Sequence, residues 1–262
     1  MMESLRNGLA VLLLIATTPV AGEAQETPAA DVPVVAPGLY ASRQYVSNRA
    51  LTRPAQRYIR VQTTNLVLHR VLMSDGGPVV ESTYCRVEQE PLGRVRTELG
   101  PEFIAAMPTW IAPLETATAG DGTVEVRLPD RVMVLGADLE DPGRDALPKD
   151  GDDPRITDPD GDGNPGMTVE VSGFVSGQVY LVQRLVRGLT GELEPDGRIT
   201  GNITGGGDQV VIGASNVILK SFTPTFEHNP DPKRNTFVWV PVSEDSTCES
   251  VIAESDALFG DD

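Results

Sequence analysis

Within the stretch DPRITDPDGDGNPGMTVEV, Asp158, Asp160 and Asp162 alternate with Pro159 and Gly161, and Gly163 follows at once. Hard cations such as calcium take several oxygen ligands from a flexible backbone, and these aspartates match positions 1, 3 and 5 of a DxDxDG loop. Gly163 stands at position 6, where the chain must turn sharply, and Asn164 stands at position 7, where the backbone carbonyl ligates. Gly166 at position 9 has no side chain and leaves room for water. Position 12, the usual bidentate Glu, is Val169; the nearest carboxylate is Glu170, one residue later. Asp152, Asp153 and Glu170 are the candidates to complete the ligand set.

The segment MTVEVSG alternates Met167, Val169 and Val171 with Thr168, Glu170 and Ser172, which is a strand period and not the second helix of an EF-hand. From Ala137 to Gly166 ten Asp and Glu face three Lys and Arg, a local charge of −7. Those like charges oppose compaction unless something neutralises them. A loop without the terminal Glu belongs with extracellular modules of ~10⁻⁴ to 10⁻³ M affinity, which suits a structural ion better than a sensor. The competing reading is a solvated acidic linker that holds no ion.

DPDGDGNPG resembles the calcium loops of thrombospondin type 3 and related exported modules, in which DxDxDG works without a helix pair. Gly166 replaces an Asp that such loops often carry. The wider stretch from LGADLEDPGRDALPKDGDD through GQVYLVQR is similar to a set of uncharacterised exported bacterial proteins. That likeness implies an envelope or secreted location and supplies no activity.

Other chemistry is sparse. His69 lies within the strand-like LVLHRVLM and reads as a core residue, and His228 sits in the loop FEHNPDP without a neighbouring motif. The sequence has no GxSxG, HExxH, P-loop or Rossmann fingerprint, and GGGD lacks the Lys of a phosphate cradle. Trp110, Tyr180, Phe226, Phe237 and Trp239 read as core aromatics or as the lining of a ligand cavity. If VYLVQRL and FVWV enclosed a void, the protein would carry a small apolar ligand. The chain thus reads as a non-enzymatic β protein with a structural calcium loop. Ligand carriage is the alternative, and an envelope-polymer hydrolase using Asp and Glu is the least favoured.

The N-terminus places Arg6 before an apolar run from Leu9 to Ala16, followed by small residues at Gly22 and Ala24. This reads as a signal peptide over 1–24, with a Pro- and Ala-rich flexible leader over 25–37 and a periplasmic or secreted destination. Nowhere does an apolar run reach the length of a membrane span. Loss of Glu3, Arg6 and Glu23 moves the formal charge from −17 to −16, a field that repels nucleic acid. In an oxidising compartment the only two cysteines, Cys85 and Cys248, pair as a structural disulfide.

Strands must position these groups. Ile59, Val61 and Thr63 alternate with Tyr58, Arg60 and Gln62, and Val95, Thr97 and Leu99 alternate with Arg94, Arg96 and Glu98. Asp75-Gly76-Gly77 and Pro195-Asp196-Gly197 mark hairpin turns. PEFIAAMP and SVIAESDALF are the only helical candidates. The pattern predicts a single all-β domain over 38–262, an antiparallel β-barrel or β-sandwich with an acidic loop insertion at 137–166.

Overall fold

The computed structural model describes residues 35–52, 57–221 and 225–260. The expected signal peptide and most of the expected leader lie outside the described residues. Packed structure begins slightly earlier than the expected boundary at 38: Val35 is buried in the core, and the Tyr40 hydroxyl donates to the Ala36 carbonyl at 2.9 Å.

In chain order the elements are β1 (Gly38–Thr52), β2 (Arg57–Ser74), β3 (Gly77–Gln89), β4 (Arg96–Glu98), α1 (Pro101–Ala106), β5 (Trp110–Pro113), β6 (Glu115–Thr118) and β7 (Val124–Leu135). After the acidic insertion come β8 (Met167–Ser172), β9 (Gly177–Leu193), β10 (Ile199–Ala214), α2 (Val217–Ser221), β11 (Thr225–His228) and β12 (Thr236–Val242). Two short helices, α3 (Cys248–Ala253) and α4 (Ser255–Phe259), follow. All strand pairs are antiparallel, in the order β4-β8-β9-β10-β12-β1-β2-β3-β5, with β11 on β1 and β7 on β6 and β9. The sheet does not close on itself. The all-β expectation is met in its sandwich-like form, and the barrel alternative is not.

The two faces of this sheet differ in what covers them. Its inner face gathers Tyr40, Val71, Val80, Leu128, Leu189 and Trp239 into the largest core cluster. On the outer face of β1 and β2, Val251 of α3 packs against Ala41 and Leu66. A β-bulge aims this arrangement: Leu66 pairs with Arg86 and Val67 with Tyr84, so Cys85 is the extra residue. Cys85 thereby reaches Cys248 at the start of α3, and the two form a disulfide with a Cα–Cα distance of 5.0 Å across a separation of 163 residues. For so long a loop the chain-entropy account assigns about 4 to 5 kcal/mol.

The second outer covering is the acidic insertion. β7 and β8 pair with the same edge of β9 and run in the same direction: Leu135 stands opposite Gln183, and Met167 stands opposite Leu181. An uninterrupted strand would put residue 137 opposite Leu181, so 137–166 is an excursion from one strand. The pleat stays in phase across it, because Leu135, Met167, Val169 and Val171 are all buried. Outside the sheet, Leu139 and Leu147 of the insertion bury themselves against Val182 and Ile212. The insertion is therefore a packed covering and not a solvated linker.

Candidate functional site

The neck of the insertion is made by two glycines. Gly136 and Gly166 both have positive φ, +80° and +83°, and a Cβ on either would meet the Leu181 carbonyl at 2.8 or 2.6 Å. Only glycine permits this close approach. Thr157 ties both sides of the neck: its amide donates to the Gly136 carbonyl at 3.1 Å, and its carbonyl accepts from the Gly166 amide at 2.8 Å.

Immediately after this tie the chain turns through the three aspartates. Gly161 and Gly163 take φ of +68° and +84°, which lets the backbone curl round its own carboxylates. Asp158 accepts from the Gly161 and Gly163 amides, both at 2.9 Å. Asp162 accepts from the Asn164 amide at 2.8 Å and its side-chain amide at 2.9 Å. Asp160 reaches back to the sheet, where one oxygen accepts from the Thr168 amide at 2.8 Å. Its other oxygen, Oδ1, is buried and meets no hydrogen-bond donor.

One oxygen from each of Asp158, Asp160 and Asp162 lies within 4.8 Å of the others. Burial raises the Asp160 carboxyl above the usual range, and the Asp162 charge and the Asp158 carboxyl add to the rise. Crowded like charges of this kind are relieved either by a proton or by a cation. The donor set is oxygen alone, which suits calcium or magnesium over softer metals.

The other candidate ligands lie elsewhere. Glu170 points out from β8 and accepts from the Gln178 side chain at 2.7 Å, apart from the triad. Asp153 forms a bidentate pair with Arg155 at 3.0 and 2.8 Å, and Arg155 holds its carboxyl down to about 2. Asp152 is exposed. Asn164 joins the loop through its bonds to Asp162, at the position where its carbonyl is expected to ligate.

A second feature lies on the inner face. Beyond the core cluster the sheet encloses a hollow of about 560 Å³, within the usual range of ligand pockets. Val179, Leu181, Gln183 and Leu185 of VYLVQRL line it, whereas Phe237 and Trp239 of FVWV are packed in the core. Of the five aromatics singled out in the sequence, only Phe226 reaches the hollow; Tyr180 packs under the acidic insertion. Two lining residues escape a motif search, Arg187 and Tyr84. A signal for Arg187 does exist: it shares the phase of Leu181, Leu185 and Leu189, the only cation on that side of β9.

His69 is buried in the core, as its place in a strand suggests. His69 stacks on Trp239 at 4.0 Å, its Nδ1 is 2.8 Å from Ser82 Oγ, and burial pushes its pKa down to about 3. Among the described residues no helix is long and apolar enough to cross a membrane. No protein-family model, curated protein or solved structure matches the chain.

Proposed function

We propose that this is an exported, non-catalytic β protein in which calcium clasps the neck of the acidic insertion through Asp158, Asp160, Asp162 and the Asn164 carbonyl. The observation that carries the reading is the buried, unpartnered Oδ1 of Asp160 within a cluster of three carboxylates. Asp160 also binds the Thr168 amide on β8, so an ion there would join the loop to the sheet. Water completes the shell, as it commonly does at extracellular sites. Calorimetric titration with calcium, and with magnesium as the control, tests this. Calcium should bind in the ~10⁻⁴ to 10⁻³ M range and magnesium more weakly, because its small octahedral shell suits a multidentate loop less well. Absence of binding heat in the wild type would leave the insertion held by packing alone.

The hollow favours a second reading, carriage of a small apolar ligand. Its walls are mostly Val, Leu and Phe, and the Phe174 side chain at its mouth is 88% exposed. Large apolar groups left in water at the lip of a cavity are a mark of a binding site.

A further inference from the structure

The hollow has one cation in its wall. From rim to floor the inward residues of β9 are Val179, Leu181, Gln183, Leu185 and Arg187, and Leu189 is already in the closed core. The strand from Val179 to Arg187 spans about 26 Å. The result is a deep apolar trough with a guanidinium at its base.

Arg187 has room there because β10 has no side chains opposite it. Gly205 pairs with Arg187, and Gly207 pairs with Leu185. Gly205 has a φ of +103°, and a Cβ would come within 2.1 Å of the Val186 carbonyl, so no other residue fits. Nη1 of Arg187 donates to the Val186 and Gly206 carbonyls at 2.9 and 2.8 Å. A guanidinium has five N–H donors, and those two bonds occupy both hydrogens of Nη1. Among the described residues no acceptor meets the other three, and no carboxylate pairs with Arg187. Asp208, on the adjoining strand, faces Arg184 at 3.8 Å instead.

The groups around the guanidinium are neutral. Tyr84 is 8% exposed, lines the hollow, and its phenol has no hydrogen-bond partner among the described residues. His228 keeps a buried, unpartnered Nδ1. Burial raises the Tyr84 phenol and lowers the His228 imidazole, and the Arg187 charge lowers both, so neither supplies a counter-charge at pH 7. A half-buried cation with no carboxylate partner is unfavourable in so apolar a site. The free Nε and Nη2 edge has the fork geometry that a planar carboxylate fills with two parallel bonds.

Resting on the carriage reading, we propose that the hollow binds a single-chain aliphatic carboxylate, its head on Arg187 and Tyr84 and its chain running past Leu185 and Leu181 toward Phe174. A monoanion balances the Arg187 charge, because Asp208, the carboxylate that also lines the hollow, faces Arg184. A phosphate dianion would carry an excess negative charge into the same apolar site.

Calorimetric titration of the purified, lipid-stripped protein with decanoate, decanol, decyl phosphate and butanoate tests the assignment. Decanoate should bind one to one and about tenfold to a hundredfold tighter than decanol, the range set by hydrogen bonds to a charged group. Butanoate, lacking the chain, should give no detectable heat. Arg187→Met should lose the preference for the acid over the alcohol. Equal affinity of the wild type for acid and alcohol would leave carriage standing and overturn the assignment of Arg187. Tighter binding of decyl phosphate would overturn the choice of carboxylate. No binding of any decyl compound would overturn both carriage and headgroup; these arms use the wild type and do not depend on a variant folding.

Discussion

The two ends of the inner face are built from the same strands and differ in what fills them. At the closed end Trp239 is 1% exposed, stacked on His69 and flanked by Tyr40 and Phe237 at ring distances of 5.9 and 6.1 Å. At the other end Val179 and Leu185 face the hollow. The cause is strand length: β12 has seven residues, against 17 in β9 and 16 in β10. β12 stops pairing with both neighbours at Thr236, opposite Tyr45 on β1 and Asn202 on β10. Beyond that point its bulky side chains are missing, and β10 contributes Gly205, Gly206 and Gly207. Each end also holds a basic group, His69 buried and Arg187 half-buried, and they are handled differently. His69 gives up its proton, while Arg187 cannot, which is why only the hollow end calls for an anion.

The largest test of this contrast is truncation. Trp239→Ala should cost about 3 to 5 kcal/mol in urea unfolding, as for other buried aromatics. Leu185→Ala should cost well under that, about 1 kcal/mol, because part of its surface already borders a void. Equal losses would mean that the hollow end is packed in solution.

Enlargement sharpens the contrast from the opposite side. Val80→Phe, in the closed end, should destabilise by about 1 to 3 kcal/mol through overpacking. Val179→Phe should be nearly neutral and should reduce ligand uptake, read by the same unfolding curves and by titration with decanoate.

Acid separates the two basic groups. The unfolded chain protonates His69 near pH 6.5, whereas the folded protein resists until about pH 3. Stability should therefore fall as pH is lowered through this window, by about 1.4 kcal/mol per unit from this residue. His69→Phe should flatten that slope, at the cost of leaving the Ser82 hydroxyl unpaired at neutral pH. Arg187 stays charged throughout and contributes no slope there. Parallel pH profiles for wild type and His69→Phe would contradict the neutral, buried imidazole.

The smallest expected effect lies outside both ends, at the clasp. A few millimolar calcium should stabilise the wild type by about 1 kcal/mol. Asp160→Asn should fold and lose that increment in thermal unfolding, while Glu170→Gln, at a carboxylate held by Gln178, should keep it. Loss of the increment in Glu170→Gln would extend the site along β8.

Local chemistry determined what the sequence alone could reveal. Period-two alternation marked the strands, and Asp-Gly and Pro-Asp-Gly marked turns, because those residues tolerate turn geometry at little steric cost. The acidic insertion stood out through a change in composition, and Asp158, Asp160 and Asp162 showed their convergence through alternation with Pro159 and Gly161. The pairing of Cys85 with Cys248 followed from their number. Tertiary structure decided what lies across from each strand. VYLVQRL and FVWV have the same apolar alternation, yet one lines a void and the other fills a core, since a period fixes which side chains share a face and not how far away the opposite face stands. The same reason hid the separation of Glu170 from the triad and the isolation of Arg187: both depend on partners brought by other strands, Gln178 from β9 and the glycines of β10.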